Sequence, residues 1–358
     1  MKALTQTSKA ALLVFLLFLS SHPPLAQAAI ITLDTVTVGD AGNADDSSKS
    51  YGGVDYSFNM GCFEVTNGQY TEFLNAVAAT DTYGLYQEFW MKDNVRQTAS
   101  NTDGIVRSGS SGSYSYSTST PDSPVHNVTF WSAVRFANWM SNGQGSGSTE
   151  TGAYDLTDSD AITNNTVTRD SWYDSSSGNT SGSTIWALPT IDEFYKAGWY
   201  QPSGSGGDSD DYWKWATGSN SRPTAASSIT DTSENKIVYN QNGGFSGTYG
   251  PADADESSGL SYYGTCGQEG NMSEWVDSIG SNSANRKYTT VNYSTDILDI
   301  AGLSGSFSEA TPTTKTSTMG FRLVSMTAVP EPHEYALMAG LGLLGWAAFR
   351  SRLRKNLA

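Results

Sequence analysis

Phe63-Glu64-Val65-Thr66-Asn67-Gly68-Gln69-Tyr70-Thr71-Glu72-Phe73-Leu74-Asn75 is the segment from which the architecture is best approached. Thr66 and Gln69 have the spacing of a capping box, in which each side chain satisfies a backbone N–H left open at a helix start. Tyr70, Phe73, Leu74 and Val77 follow at i, i+3, i+4 and i+7, the stripe of a helix with one buried face. A second helix is expected after Ser132, where Ala133, Phe136, Ala137 and Met140 repeat the spacing. A third starts at Pro189-Thr190-Ile191-Asp192-Glu193, with Thr190 as N-cap, Glu193 reaching back to it, and Phe194 and Ala197 facing inward. Helices of about ten residues are marginal alone in water, so each must pack on other chain.

Around these helices the sequence predicts short strands and much irregular chain. Ile185-Trp186-Ala187-Leu188 and Met319-Gly320-Phe321-Arg322-Leu323-Val324 read as strands. Residues 108–119, 142–151 and 174–183 are rich in Ser, Gly, Thr, Asn and Tyr and read as loops, and 203–211 is an acidic, Gly-rich loop. Loops this long call for a function or a ligand that holds them. No internal repeat is present. The expectation is an α+β domain with little regular structure.

Composition narrows the function. The chain has 358 residues, with 20 Lys and Arg against 36 Asp and Glu. Six of the basic residues (Lys2, Lys9, Arg350, Arg352, Arg354, Lys355) and two acids (Glu331, Glu334) lie in the terminal segments, which leaves residues 29–325 with a balance of −20. Such a surface repels nucleic acid and anionic lipid and attracts cations. Aromatics make up 12% of the chain, enough for a core, which excludes a disordered polypeptide. Two cysteines, Cys62 and Cys266, are too few for a disulfide framework. In an oxidising compartment they either pair with each other or serve as two unrelated small apolar residues.

The termini read as targeting signals. Residues 1–28 carry Lys2 and Lys9, an apolar run over 10–19, and Leu25-Ala26-Gln27-Ala28, the pattern of a signal peptide cut after Ala28. At the other end Val329-Pro330-Glu331-Pro332 precedes an apolar stretch over 335–349 and a final Arg350-Ser351-Arg352-Leu353-Arg354-Lys355. A helix over 335–349 rises about 22 Å, short of the roughly 30 Å hydrocarbon core, and its basic flank stays cytoplasmic. This arrangement resembles the PEP-CTERM sorting signal of exopolysaccharide-producing Gram-negative bacteria. The resemblance implies recognition by a sorting protease and a protein of the periplasm, outer surface or extracellular matrix, touching the membrane through its tail alone; an ordinary tail anchor is the alternative. The divisions are therefore a signal peptide at 1–28, an N-terminal extension at 29–54, a main domain at 55–325 and a sorting tail at 326–358.

Four segments in order resemble the formylglycine-generating enzyme (sulfatase-modifying factor) family. They are Phe63–Asn75; Pro124-Val125-His126-Asn127-Val128-Thr129-Phe130-Trp131 running into Arg135-Phe136-Ala137-Asn138-Trp139; Leu188-Pro189-Thr190-Ile191-Asp192-Glu193-Phe194; and Gly270-Asn271-Met272-Ser273-Glu274-Trp275 with Gly320-Phe321-Arg322. The likeness covers about residues 55–325. Tyr263-Gly264-Thr265 and Tyr212-Trp213 resemble the exported PEP-CTERM members of the family. The implied fold is an irregular C-type-lectin-like α+β domain.

The implied chemistry meets an obstacle. Enzymes of this family oxidise a substrate cysteine with copper held by two cysteines near the C-terminal end, thiolates being soft ligands suited to copper(I). Residues 276–324 contain no cysteine, and neither Cys62 nor Cys266 matches that pair. A related branch holds iron with three histidines, and residues 29–325 contain one, His126. No catalytic residue is therefore assigned. The resemblance does imply calcium at the Gly-Asn-x-x-Glu-Trp turn, with Asn271, the Met272 carbonyl and Glu274 as oxygen ligands; the alternative is that Glu274 pairs with a buried arginine such as Arg322. A second calcium site would use Asn235 and Asn242-Gly243-Gly244-Phe245, with Gly243 standing where an aspartate is expected. Tyr212, Trp213, Trp215, Trp172, Trp186 and Trp199 either line a groove for sugar or peptide or pack in the core. Two functions remain open: a non-catalytic surface module with a polysaccharide or surface-protein ligand, or an oxidoreductase-like enzyme with displaced catalytic residues. A purely structural matrix protein is a third.

Overall fold

The computed structural model describes residues 30–92, 104–169, 184–226, 235–239, 250–256, 259–295 and 304–327. The capping box at Thr66 forms as expected. The Thr66 hydroxyl accepts from the Gln69 N–H, the Gln69 side chain accepts from the Thr66 N–H, and α1 runs Asn67–Val77. α2 runs Phe130–Ser141 and starts before the expected Ser132, because Thr129 supplies the cap and Ser132 lies in the first turn. A short α3, Ser159–Thr163, is capped by Asp158. α4, Ile191–Trp199, has the Thr190–Glu193 capping box.

These helices pack through aromatic rings. Tyr70 and Phe73 of α1 meet Phe136 and Trp139 of α2 at centroid distances of 5.2–6.0 Å, and Phe321 closes on Phe136 at 5.4 Å. All are buried. Phe130 through Met140 of α2 are all buried, and the polar members among them find partners: Arg135 pairs with Glu150 at 2.8 Å, and Asn138 donates to the Thr149 and Tyr154 carbonyls.

Two four-stranded sheets complete the frame. The first contains β1 (Thr35–Val38), β2 (Phe58–Gly61), β5 (Thr184–Ala187) and β12 (Val324–Thr327), in the order β1-β2-β12-β5 and antiparallel throughout. The second contains β8 (Ser273–Ile279), β9 (Arg286–Thr289), β10 (Phe307–Ala310) and β11 (Met319–Gly320), in the order β10-β9-β8-β11 with β11 parallel to β8. The expected single strand over 319–324 is thus two. β11 joins one sheet, β12 the other, and Phe321-Arg322-Leu323 cross between them. β3 (Ile105–Ser108) and β4 (Ser115–Thr118) form a hairpin where a loop was expected, and β6 (Thr224–Ala225) pairs in parallel with β7 (Lys236–Ile237).

Residues 29–54, set apart in the sequence as an extension, contribute β1 to the first sheet. β12 carries the domain to Thr327, past the expected boundary at 325. The signal peptide expected over 1–28, residues 328–358 of the sorting tail expected over 326–358, and the loop expected over 174–183 lie outside the described residues. Among the described residues no helix is long and apolar enough to cross a membrane.

Candidate functional site

The first and last motifs meet at a buried charge cluster. Gly61 donates its N–H to the Leu323 carbonyl at 2.8 Å, and Val65 donates to the Phe321 carbonyl at 2.9 Å, so the segment after β2 lies along the crossing Phe321-Arg322-Leu323. Arg322 points inward with no solvent exposure. Its Nε donates to Glu274 Oε2 and its Nη2 to Glu274 Oε1, both at 2.8 Å. Nη2 also serves the Cys266 carbonyl at 2.8 Å, and Nη1 serves the carbonyls of Cys62 at 3.1 Å and Gly61 at 3.3 Å. Glu64 is the second carboxylate, 3.9 Å from Arg322 Nη2. Its Oε1 accepts from Asn271 Nδ2 at 3.0 Å and its Oε2 has no hydrogen-bond partner.

Burial dominates the electrostatics. It pushes the Glu64 carboxyl up to about 8, with Arg322 opposing and the neighbouring Glu274 charge adding to the rise. Glu274 is raised too, again by burial, against the pull of Arg322. Two carboxyls around one guanidinium would leave a net negative charge in the interior, and a proton held on Glu64 removes it.

The expected calcium ligands come together here, but not as an open cup. Glu274 uses both oxygens on Arg322. Asn271, at φ +53°, accepts the Ala252 N–H on its side-chain oxygen at 2.8 Å and gives its Nδ2 to Glu64. Met272 is fully buried. A cation at Glu274 would stand beside a guanidinium already bonded to both oxygens, so these residues as arranged do not fit calcium, and the alternative pairing with Arg322 is the one present. Of the second site, Asn235 spends its side chain on Thr217, Ser221 and Arg222, and residues 242–245 lie outside the described residues. Among the described residues no group of three or more His, Cys, Asp or Glu is placed to hold a metal ion.

His126 is buried, its pKa lowered to about 4 by desolvation, and its Nδ1 accepts from Asn127 Nδ2 at 2.7 Å. It is a neutral packing residue. In front of Gly320 the chain carries hydroxyls rather than thiols. Thr311 bonds Thr314 at 2.9 Å and Thr316 bonds Thr318 at 3.0 Å, while Thr313, Lys315, Thr316 and Ser317 are exposed.

Of the two readings open for the aromatics, groove or core, packing in the core is the one the buried members show. Tyr212, Trp215 and Trp199 are buried, Trp186 and Trp213 are half-buried, and Trp172 lies outside the described residues. Among the described residues the exposed large rings are others: Phe89 at 78%, Trp90 at 58%, Tyr83 at 49% and Tyr262 at 42%. Asn127 holds this loop against the threonine loop, its N–H donating to the Thr316 carbonyl at 3.0 Å and its Nδ2 to the Trp90 carbonyl at 3.1 Å. Lys315 donates to Gln87, and the Arg135 guanidinium lies 4.3 Å from the Tyr83 ring centre. The result is a surface with adjacent aromatic faces and a row of hydroxyls. No periodic pattern marks Phe89 and Trp90; their one signal is a pair of large aromatic residues inside a stretch with neither helix nor strand spacing.

A family model, the sulfatase-modifying factor enzyme 1-like domain, matches residues 35–327. Among solved structures, the crystal structure of CarF matches at 19% identity with a TM-score of 0.49, over 82% of this chain and 98% of CarF. The Treponema denticola variable protein 1 matches at 15% and 0.46, over 83% and 96% of the two chains. PvdO from Pseudomonas aeruginosa matches at 15% and 0.40, over 82% and 91%. No curated protein matches.

Proposed function

The chain belongs to the family of sulfatase-modifying factor enzyme 1-like domains over residues 35–327, and on that premise we propose that it is an exported, non-catalytic binding module of the cell surface or its exopolysaccharide. One observation carries the reading. Where the cysteine-oxidising chemistry of such domains needs a thiolate pair, the segment before Gly320 offers Thr311, Thr313, Thr314, Thr316 and Thr318. Hydroxyls are hard donors and do not replace thiolates for copper(I). They do suit hydrogen bonding to a polyhydroxylated ligand.

The ligand class follows from the surface. Phe89 and Trp90 present apolar faces of the kind that stack on the C–H side of a sugar ring, and Asn127 ties the Trp90 carbonyl to that of Thr316 in a stretch where Thr313, Thr316 and Ser317 are exposed. A chain of net charge −16 repels polyanions, so the partner is an uncharged polysaccharide. Delivery rests on the signal peptide over 1–28 and the tail from 326, with a sorting protease as the transient partner at that tail.

The test has two arms. The purified protein, loaded with copper and given a cysteine-containing peptide, is expected to form no aldehyde. On an array of neutral glycans it is expected to bind, and Trp90→Ala and Phe89→Ala to bind at least about tenfold more weakly, a loss of about 1.4 kcal/mol, with unchanged melting. Stoichiometric copper with peptide oxidation would overturn the reading.

A further inference from the structure

The chain has two cysteines in 358 residues, one before the first helix and one before the last motif. Folding brings them into direct backbone contact. The Cys266 N–H donates to the Cys62 carbonyl at 3.0 Å. The covalent bonds on either side of that hydrogen bond keep the two Cα atoms within about 7 Å, and disulfides span Cα separations of roughly 4.4–6.8 Å. Arg322 fixes both residues from the same side, through Nη1 to the Cys62 carbonyl at 3.1 Å and Nη2 to the Cys266 carbonyl at 2.8 Å. Both are thiols in this structure. Cys62 is half-buried and reachable from solvent, and Cys266 is buried with Sγ 3.5 Å from the Ala254 carbonyl. The chain's two cysteines thus meet across more than half the sequence.

We propose that Cys62 and Cys266 form a redox modification site, closing to a disulfide that staples the segment after β2 to the loop before β8. The step is thiol–disulfide exchange with a small-molecule or protein disulfide. The Cys62 thiolate attacks one sulfur of that partner, a mixed disulfide forms, and the partner's other sulfur leaves as a thiolate. The Cys266 thiolate then attacks the Cys62 sulfur and expels the second partner thiolate. The two cysteines give up two protons and two electrons, and the partner is reduced to two thiols. Burial, followed by the Asp34 charge, raises the Cys62 thiol above its ordinary value, so closure is slow at neutral pH and faster in mild alkali. Closure inside the cell rests on the proposed export to an oxidising compartment; closure of the purified protein does not.

The experiment takes the purified full chain, folded and reduced, and exposes it to oxidised glutathione at pH 8.5. Unreacted thiols are then alkylated under denaturing conditions and the protein is digested for mass spectrometry. The expected product is one linked peptide pair containing Cys62 and Cys266, with neither alkylation nor glutathione on either residue. Its melting temperature is expected to exceed that of the reduced form by roughly 5–10 °C. Cys62→Ser is expected to melt at the same temperature with and without reductant. Alkylation of both cysteines, or a glutathione adduct on each, would overturn the proposal.

Discussion

Arg322 holds Glu274 by two parallel hydrogen bonds, Nε to Oε2 and Nη2 to Oε1, each 2.8 Å long, and neither side chain reaches solvent. The pair sits where the chain passes from one sheet to the other. β11 pairs with β8, which begins one residue before Glu274, and β12 pairs with β2, which ends just before Cys62. The guanidinium's remaining donors reach the carbonyls of Gly61, Cys62 and Cys266. One side chain therefore fastens the first motif, the last motif and the crossing segment. The Glu274 carboxylate is a structural counter-ion.

Removing one partner of such a pair leaves a buried charge without compensation, which costs about 3–5 kcal/mol. Arg322→Met and Glu274→Gln are both expected to lower the melting temperature by roughly 10 °C for a domain of this size. The loss from Glu274→Gln is expected to be equal in calcium-containing and calcium-free buffer, read by thermal unfolding in each. A loss confined to the calcium-containing buffer would restore Glu274 as a calcium ligand.

The same crossing depends on Gly320. A Cβ placed there would lie 2.6 Å from the Val125 carbonyl oxygen, and that carbonyl belongs to backbone that cannot swing aside. Gly320→Ala must push β11 off β8 or move the backbone at Val125. The expected cost is about 1–3 kcal/mol, as for overpacking elsewhere in cores. Chemical denaturation should show a lower midpoint with unchanged slope; a midpoint equal to the parent's would show that the segment is looser than described.

Glu193 offers a prediction about coupling. Its Oε2 accepts from the Thr190 N–H at 2.8 Å and from Arg169 Nη1 at 3.0 Å, and its Oε1 from the Tyr56 hydroxyl at 2.7 Å and from Arg169 Nη2 at 3.2 Å. The capping box is thus also a buried ion pair. Thr190→Ala removes the cap hydroxyl and is expected to cost about 1 kcal/mol. Glu193→Gln removes the charge opposite Arg169 and should cost about 3–5 kcal/mol. Because both substitutions act on one network, the double variant is expected to lose less than the two single losses together. Strict additivity in a double-mutant cycle would refute the shared network.

What was readable in advance follows the range of each interaction. α1 and α4 emerged with their caps because Thr66–Gln69 and Thr190–Glu193 are local, three residues apart. α2 was misplaced at its start because Thr129 and Ser132 are both acceptable caps and tertiary packing of Phe130 and Trp131 chose between them. β1 and the β3–β4 hairpin escaped notice because pairing, not composition, makes residues such as Ser115-Tyr116-Ser117-Thr118 a strand. The pairing of Glu274 with Arg322 was visible as an alternative, yet the arrival of Glu64, the Asn271 amide and two cysteine carbonyls at the same point depends on topology. Which aromatics are buried and which are exposed stays open in the sequence for a related reason. Trp199 and Trp215 differ from Trp90 in burial, and burial is a property of the fold.

The final prediction concerns pH. Burial pushes the Glu269 carboxyl up to about 7, against weaker opposition from Ser304, the Ala216 N–H and Lys49. Its Oε1 and Trp199 Nε1 have no hydrogen-bond partner, and both residues line a cavity of about 10 Å³. With the folded value above the unfolded one near 4.5, the folded state keeps the proton longer. The stability that Glu269 contributes is full below about 4.5 and is lost as pH rises through 7. Glu64, raised to about 8, acts in the same direction over a wider window. His126 runs the other way: lowered to about 4, it is protonated first in the unfolded chain, so its contribution is full above about 6.5 and is lost as pH falls toward 4. Between about 4.5 and 6.5 the histidine slope cancels only one of the two acid slopes, each worth about 1.4 kcal/mol per pH unit at most, so a shallower decline with rising pH remains. Above 6.5 the acids act alone, and the parent is expected to lose stability from pH 6.5 to 8. Glu269→Gln should remove the part of that decline lying near pH 7. His126→Asn should remove the opposing slope, so that its stability rises about twice as steeply as the parent's as pH falls from 6.5 to 4.5. Denaturant midpoints across this range read all three proteins, and a Glu269→Gln curve parallel to the parent's throughout would show that the carboxyl titrates at its ordinary value.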